Sequence, residues 1–335
     1  MNDDLTLFAI EDTREFGEQV AVHCGLKLAA HEERDFEDGE HKIRPLESVR
    51  GRDVYVIQSL YSDAHQTVND KLVRLLVFLG ALRDASAARL TAVIPYLAYA
   101  RKDKRTQPRD PVTTRYIAQI IESAGLDCVV TLDVHNLAAY QNAFRIRTEH
   151  LEAKPIFVDH FARELRPDQR VTVISPDAGG LKRAGYFRDA LNEALGRDVS
   201  LGFMEKTRAL GTMTAGELHA DVKNATAIII DDMISTGGTI SSAAERAKQG
   251  GAQAVYAAAS HGVFVGNAGR ALDTDALDRV IVTDSVPPIR LPAGVIERRL
   301  TVLSCAPLFA AAIERLHTGG SQVALSRFGP GVSSS

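Results

Sequence analysis

The stretch "IIIDDMISTGGT" (residues 228–239) decides the fold. An apolar β-branched run enters two aspartates, then a turn of small hydroxyl residues and glycines, and a helical pattern follows over 238–249. A strand that feeds a glycine-containing turn and then a helix is the grammar of an α/β protein. It also makes an anion site, because the first turn of a helix offers unpaired N–H groups and the positive end of its dipole. Gly237 and Gly238 are expected to take positive φ and let the backbone approach the anion closely. Ser235, Thr236 and Thr239 add hydroxyl donors, each charge-assisted bond contributing roughly 1.5–3 kcal/mol when desolvated. Asp231 and Asp232 would repel a phosphate unless they grip something else, and a carboxylate can accept from two vicinal sugar hydroxyls. The stretch therefore fits a sugar phosphate. A helix cap alone needs one such residue, not this array.

Outward from this point, strand-like runs lie at 53–59, 90–96, 128–134, 171–177, 200–205, 227–232, 254–260 and 280–285. Helical patterns lie at 13–24, 66–82, 112–124, 180–196, 238–249 and 306–316. Several strands are apolar on both faces, as in a covered parallel sheet, and the alternation argues for α/β architecture. The order polar turn, strand, loop, helix, strand occurs twice, through "VRGRDVYVIQS" and again through "VKNATAIIIDD". This echo reads as two similar domains in tandem. Only the second copy carries the acid pair and the Thr-Gly-Gly turn; the first has "QSLYSDAHQTVND" there. The expected boundaries are 1–155 and 156–304, with 305–320 packing back on the first domain and 321–335 a disordered tail.

A chain of 335 residues is long for one core, since single cores stop growing at roughly 250–300 residues. The net charge of −4 supplies no global field toward nucleic acid or an anionic membrane. No apolar run approaches the ~18 residues of a membrane span, and the acidic N-terminus lacks a signal-peptide pattern, so the cytoplasm is the expected compartment. Cys24, Cys128 and Cys305 have no metal or disulfide spacing and read as buried thiols. Neither GxxxxGK[ST] nor GxGxxG occurs.

The stretch resembles the phosphoribosyl-diphosphate loop of type I phosphoribosyltransferases. Further motifs narrow the resemblance to the ribose-phosphate diphosphokinase family: "FEDGE" (36–40), "LTAVIPYLAYARKD" (90–103), "TLDVH" (131–135), "SPDAGGLKRA" (175–184) and "SHGVFVGNA" (260–268). It runs from about Leu5 to His317. It implies two tandem type I phosphoribosyltransferase-like domains, each a mainly parallel sheet flanked by helices. It also implies transfer of diphosphate from ATP to ribose 5-phosphate with Mg²⁺. By this resemblance Ser235, Thr236, Gly237, Gly238 and Thr239 hold the 5-phosphate, and Asp231 and Asp232 the ribose hydroxyls. Phe36, Asp38, Glu40, Arg101 and Asp103 serve ATP, and His135 and Asp177 are associated with the metal. Lys206 and Arg208 act catalytically on the transferring phosphoryl groups. The resemblance further implies a homo-oligomer, a dimer or hexamer.

Three departures stand out. Ser235 replaces the family's usual third acid, Lys102 replaces a Gln, and the loop 104–111 differs from the stretch that helps form the family's regulatory site. A non-catalytic synthetase-associated subunit and a transferase that consumes phosphoribosyl diphosphate are the alternatives. Lys206, Arg208, His135 and Asp177 together argue against the first. The whole-length match and "FEDGE" argue against the second.

Overall fold

The computed structural model describes residues 4–205, 208–209, 212–213 and 216–327. The chain divides into two compact units, residues 1–152 with 305–326 and residues 153–304. In the first, β1 (Leu5–Ala9) leads to α1 (Arg14–His23) and a hairpin of β2 (His31–Asp35) and β3 (His41–Pro45). Then follow β4 (Asp53–Ile57), α2 (Val68–Asp84), β5 (Arg89–Ile94), α3 (Thr113–Ser123), β6 (Cys128–Leu132), α4 (Leu137–Ala143) and β7 (Arg147–Leu151). The main sheet has the order β1-β4-β5-β6-β7 with every pairing parallel.

The second unit runs α5 (Lys154–Glu164), β8 (Arg170–Ser175), α6 (Leu181–Leu195) and β9 (Ser200–Glu205). A two-strand ribbon of β10 (Arg208–Ala209) and β11 (Thr212–Met213) and a short β12 (Glu217–His219) come next. Then come β13 (Ala225–Ile234), α7 (Gly238–Gln249), β14 (Ala254–Gly262), α8 (Ala268–Leu272), β15 (Arg279–Thr283), α9 (Ala293–Arg299) and β16 (Leu300–Leu303). Its sheet order is β12-β9-β8-β13-β14-β15-β16, parallel except for the antiparallel β12–β9 edge. The run β8-β13-β14-β15-β16 repeats the order of β1-β4-β5-β6-β7, which is the structural form of the echo in the sequence.

The units differ at one decisive point. In the second, the chain passes from β8 to β9 on one side and later to β13 on the other. Connections that reverse in this way open a crevice beyond the carboxyl ends of the two central strands, where open α/β sheets bind ligands. The first sheet progresses in one direction only.

Strands covered on both faces explain the apolar runs. Ala227, Ile229, Val255 and Ala257 join a buried cluster with Ile240, Ala243 and Ala247 of α7. On the opposite face Tyr256 meets Phe161 of α5, which also meets Phe187 of α6. In the first unit Val54, Val56, Leu90 and Ala92 pack with Leu72, Leu75 and Leu79 of α2. The other face is closed by α1 and by α10 (Ala306–Thr318), whose Phe309 stacks edge-on against Phe16 at 5.6 Å. The three cysteines are buried and form no disulfide among the described residues, and burial pushes the Cys24 and Cys128 thiols up to about 12 and about 11.

The disordered reading of 321–335 is corrected for its first residues: Val323–Arg327 form a 3-10 turn. Gln322 donates to Ala312 O at 3.1 Å, Arg315 donates to Ser321 O at 2.6 Å, and Leu325 is buried, so apolar contact outweighs the polar composition. Residues 328–335 lie outside the described residues.

Candidate active site

Asp231 and Asp232 lie within β13, which continues past the expected end at 232 to Ile234. Neighbours on a regular strand face opposite ways. Here the Asp232 N–H turns to Asp231 Oδ1 at 2.9 Å and the pairing with β14 skips Asp232, so both carboxylates reach one cation. That cation is Arg183 of α6, whose Nη1 stands 3.2 Å from Asp231 Oδ1 and 3.1 Å from Asp232 Oδ1. Asp232 is buried, while the Asp231 side chain keeps 22% of its surface. Burial, and then the neighbouring Asp232, push the Asp231 carboxyl well above the ordinary carboxylate range; Arg183 opposes this only in part.

The turn after β13 has one left-handed residue. Gly237 sits at φ +78°, and Gly238 is the first residue of α7, not a second positive-φ position as expected. Helical geometry at Gly238 aligns the first N–H groups with the helix axis. A Cβ there would meet only Thr236 Oγ1, at 4.0 Å, so the approach is open. Among the described residues no hydrogen bond is donated by the backbone N–H of Thr236, Gly237, Gly238 or Thr239. Thr236, Gly238 and Thr239 are exposed and Ser235 is half-buried. Four backbone N–H groups with no acceptor among the described residues, three hydroxyls and the start of a helix thus lie together at the carboxyl end of the acid pair's strand.

At the head of α6, Asp177 follows β8, and its Oδ1 accepts the Gly180 N–H at 3.1 Å. This places it at the reversal point of the sheet, beside the strand that carries Asp231. Lys206 lies outside the described residues. Arg208 has its backbone in the ribbon of β10 and β11, between β9 and β12.

In the first unit, Phe36, Asp38 and Glu40 form the tip of the β2–β3 hairpin. The Phe36 N–H donates to Glu40 O at 2.9 Å, and the Glu40 N–H to Asp38 Oδ1 at 3.1 Å. The Arg34 guanidinium covers the Phe36 ring at 4.9 Å. Arg101 is exposed and makes no ion pair among the described residues. Lys102 turns away to Asp110 at 2.6 Å and Thr106 at 2.9 Å, closing the 104–110 loop on itself. Asp110 also accepts from the Thr106 and Gln107 N–H groups, and the Lys102 ammonium holds its carboxyl well below the usual range.

Asp103 accepts from Asn136 Nδ2 at 2.6 Å, and Asn136 caps α4 immediately after His135. Thus the Arg101–Asp103 segment and His135 are tied together. The turn that carries the exposed His135 is pinned from behind, where the Val134 N–H donates to His150 Nε2 at 3.3 Å.

Comparison with known proteins gives a consistent result. The profile for the N-terminal domain of ribose phosphate pyrophosphokinase matches residues 5–125, and that for the phosphoribosyl synthetase-associated domain matches 211–327. A ribose-phosphate pyrophosphokinase of Caldanaerobacter subterraneus subsp. tengcongensis is 40% identical over 95% of this chain and 96% of its own length. One from Streptococcus pyogenes serotype M3 is 36% identical over 94% and 95%. The crystal structure of phosphoribosylpyrophosphate synthetase from Mycobacterium smegmatis superimposes with a TM-score of 0.84 at 35% identity, covering 95% of this chain and all of that one (100%). The chain belongs to the ribose-phosphate pyrophosphokinase family.

Within that family frame, Arg183 is the site residue that reading the sequence missed. It stands inside the quoted motif "SPDAGGLKRA", and its place one turn into a helix that follows a strand-end aspartate was the available signal. Asn136 and His150 carried no such signal, because their partners are distant in sequence or on the main chain.

Proposed function

We propose that this chain transfers diphosphate from ATP to the 1-hydroxyl of ribose 5-phosphate, giving 5-phosphoribosyl 1-diphosphate and AMP. The observation that carries the reading is the acid pair standing before four unpaired backbone N–H groups at the reversal point of the second sheet. Phosphate takes the N–H groups and the Ser235, Thr236 and Thr239 hydroxyls. Asp231 and Asp232 take the ribose hydroxyls. A carboxyl raised as Asp231 is can both donate to and accept from a hydroxyl.

The nucleotide falls to Phe36, Asp38, Glu40, Arg101 and Asp103, with the ring stacking on the base. The 1-hydroxyl attacks the β-phosphorus and AMP leaves. Phosphoryl transfer depends mainly on positioning and charge stabilisation, which Lys206 and Arg208 supply as cations at the transferring group. Lys102 takes no part in this set, being engaged by Asp110.

The residues present fit a magnesium ion. Asp177 lies just past β8 and is only half-buried, His135 is exposed, and among the described residues there is no cage of three or more ligating side chains. Mg²⁺ uses few protein ligands and completes its shell with waters and phosphates, so Asp177 in the second unit and His135 in the first are each suited, on their own unit, to associate with the metal. When bound it neutralises charge on the phosphate chain. The family resemblance also supports a homo-oligomer. Among the described residues no helix is long and apolar enough to cross a membrane; the cytoplasmic reading rests on the family resemblance.

The test is incubation with ATP, Mg²⁺ and ribose 5-phosphate, following AMP. AMP should form only when the sugar phosphate is present, and Lys206→Ala should lower kcat on the order of 10²–10³-fold with ribose 5-phosphate binding kept. AMP release independent of the sugar phosphate, or a Lys206→Ala turnover within about threefold of the parent, defeats the assignment.

A further inference from the structure

The segment 260–268, "SHGVFVGNA", has no role in the reading above. We propose that it is a brace that sets the sugar-phosphate loop, with Phe264 as a positioning residue for ribose 5-phosphate. This rests on the reading of residues 235–239 as the phosphate site.

β14 runs beside β13 in register, Met233 opposite His261 and Ile234 opposite Gly262. Along an extended strand successive N–H groups point to opposite sides, so only alternate ones can reach one neighbour. Beyond Gly262 two successive N–H groups do so. Phe264 N–H donates to Ile234 O at 3.0 Å and Val265 N–H to Ser235 O at 2.9 Å. The device is a left-handed residue: Phe264 has φ +46°, and such a turn makes consecutive N–H groups converge. The carbonyls of the two residues immediately before Thr236 are thereby fixed from one segment.

The ring explains why this position is not glycine. Phe264 is buried, in one cluster with Ile234 and Ile240, the residues that bracket the loop, and with Ala268 and Leu272. It lies so close to the strand that a Cβ on Gly262 would stand 2.4 Å from it. The left-handed Gly237 rests on α8, into which the segment runs, where its Cβ would stand 3.2 Å from Ala271 and from Leu272.

The brace is itself anchored. Buried His261 Nδ1 meets Ser285 Oγ at 2.8 Å, and that hydroxyl reaches Ser260 O at 3.1 Å. Arg290 donates to Val263 O at 2.7 Å. Conformations of this kind persist where the surroundings over-determine them, and they gather at sites that need a fixed backbone.

The test compares Phe264→Ala with the conservative Phe264→Leu in the full-length enzyme, by steady-state kinetics, direct titration with ribose 5-phosphate and thermal melting. Phe264→Ala should raise KM for ribose 5-phosphate about tenfold or more while KM for ATP stays within about twofold, and Phe264→Leu should recover most of the loss. Gly262→Ala displaces the ring without deleting it and should give the same split; it decides the matter if Phe264→Ala fails to fold. An unchanged KM for ribose 5-phosphate in the folded variants overturns the brace, as does an equal rise in both KM values. Asp231→Asn is titrated in parallel. If it loses ribose 5-phosphate while Phe264→Ala does not, only the brace fails; if neither loses it, the sugar-phosphate reading fails as well.

Discussion

At Asp231, proposed above to hold the sugar hydroxyls, burial works against the folded chain. Its carboxyl is raised by desolvation and by Asp232, so the folded protein holds a proton there that the unfolded chain releases. Such a group leaves stability intact below the ordinary carboxylate range and erodes it as pH rises toward the raised folded value. Asp231→Asn removes the erosion and leaves Arg183 paired with Asp232 at 3.1 Å. The variant should melt above the parent at neutral and mildly alkaline pH, by roughly 2–4 °C for each kcal/mol relieved, with the difference closing near pH ~4. It should bind ribose 5-phosphate about 10–100-fold more weakly, because the amide puts an N–H donor where the carboxyl offers an oxygen to the sugar hydroxyls. Calorimetric melts across pH, paired with titration, check both; a variant that melts below the parent at neutral pH refutes this account. The acid pair could be read from sequence because its meaning is local: two acids, a glycine turn and a helix start in one run. Arg183 could not, because its partner is 48 residues away and only the fold of β8, α6 and β13 joins them.

At the scale of elements, the same frame is used twice and filled differently. β4, a loop and α2 occupy in the first unit the place that β13, the turn of residues 235–237 and α7 occupy in the second. The first loop is longer and fills its own space with charge. Lys71 is fully buried, 2.6 Å from Asp63 and 3.7 Å over the Tyr61 ring. Burial raises the Asp63 carboxyl, yet the Lys71 ammonium and the His65 and Gln66 N–H groups hold it below its usual range. The start of α2 is in turn capped by Thr67 and Asp70, unlike the uncapped start of α7. Removing one member of a buried pair leaves the other uncompensated, at a cost of about 3–5 kcal/mol. Lys71→Met should therefore destabilise the chain by an amount near the lower end of that range, since Asp63 keeps its backbone donors. The double variant Lys71→Met/Asp63→Asn should recover much of the loss in urea unfolding; a double variant no better than the single one would sink the argument. The main helices and inner strands were legible because their apolar periods are long. The β2–β3 hairpin was not: strand β2 reads "HEERD", without alternation, and is joined to β3 by cross-strand contacts such as the Arg44–Glu32 ion pair at 2.6 Å and His41 Nδ1 at 3.0 Å from Asp35 Oδ1.

At the scale of the whole molecule, the first unit is completed by the end of the chain. α10 returns to it with Leu308, Phe309, Ala312 and Ile313 buried, and His317 Nδ1 reaches Asp53 at 2.8 Å. Cys24 Sγ also meets Ala310 O at 3.8 Å, across 286 residues of sequence. Local pattern shows that α10 is amphipathic but not which face receives it, so its partners α1 and β4 emerge only with the fold. Each unit has its own buried core, and chains of this kind unfold in more than one step. The discontinuous first unit and the second unit should then be separable by mutation. Phe309→Ala removes a ring that packs against Phe16 and should cost about 3–5 kcal/mol, borne by the first unit. Under mild denaturant the variant should lose ATP-dependent turnover at lower urea than the parent. Titration with ribose 5-phosphate should meanwhile still detect the loop of residues 235–239, whose supports all lie in the second unit. Simultaneous loss of turnover and of sugar-phosphate binding, at one urea concentration in both parent and variant, would instead show that the two cores unfold as a single cooperative block.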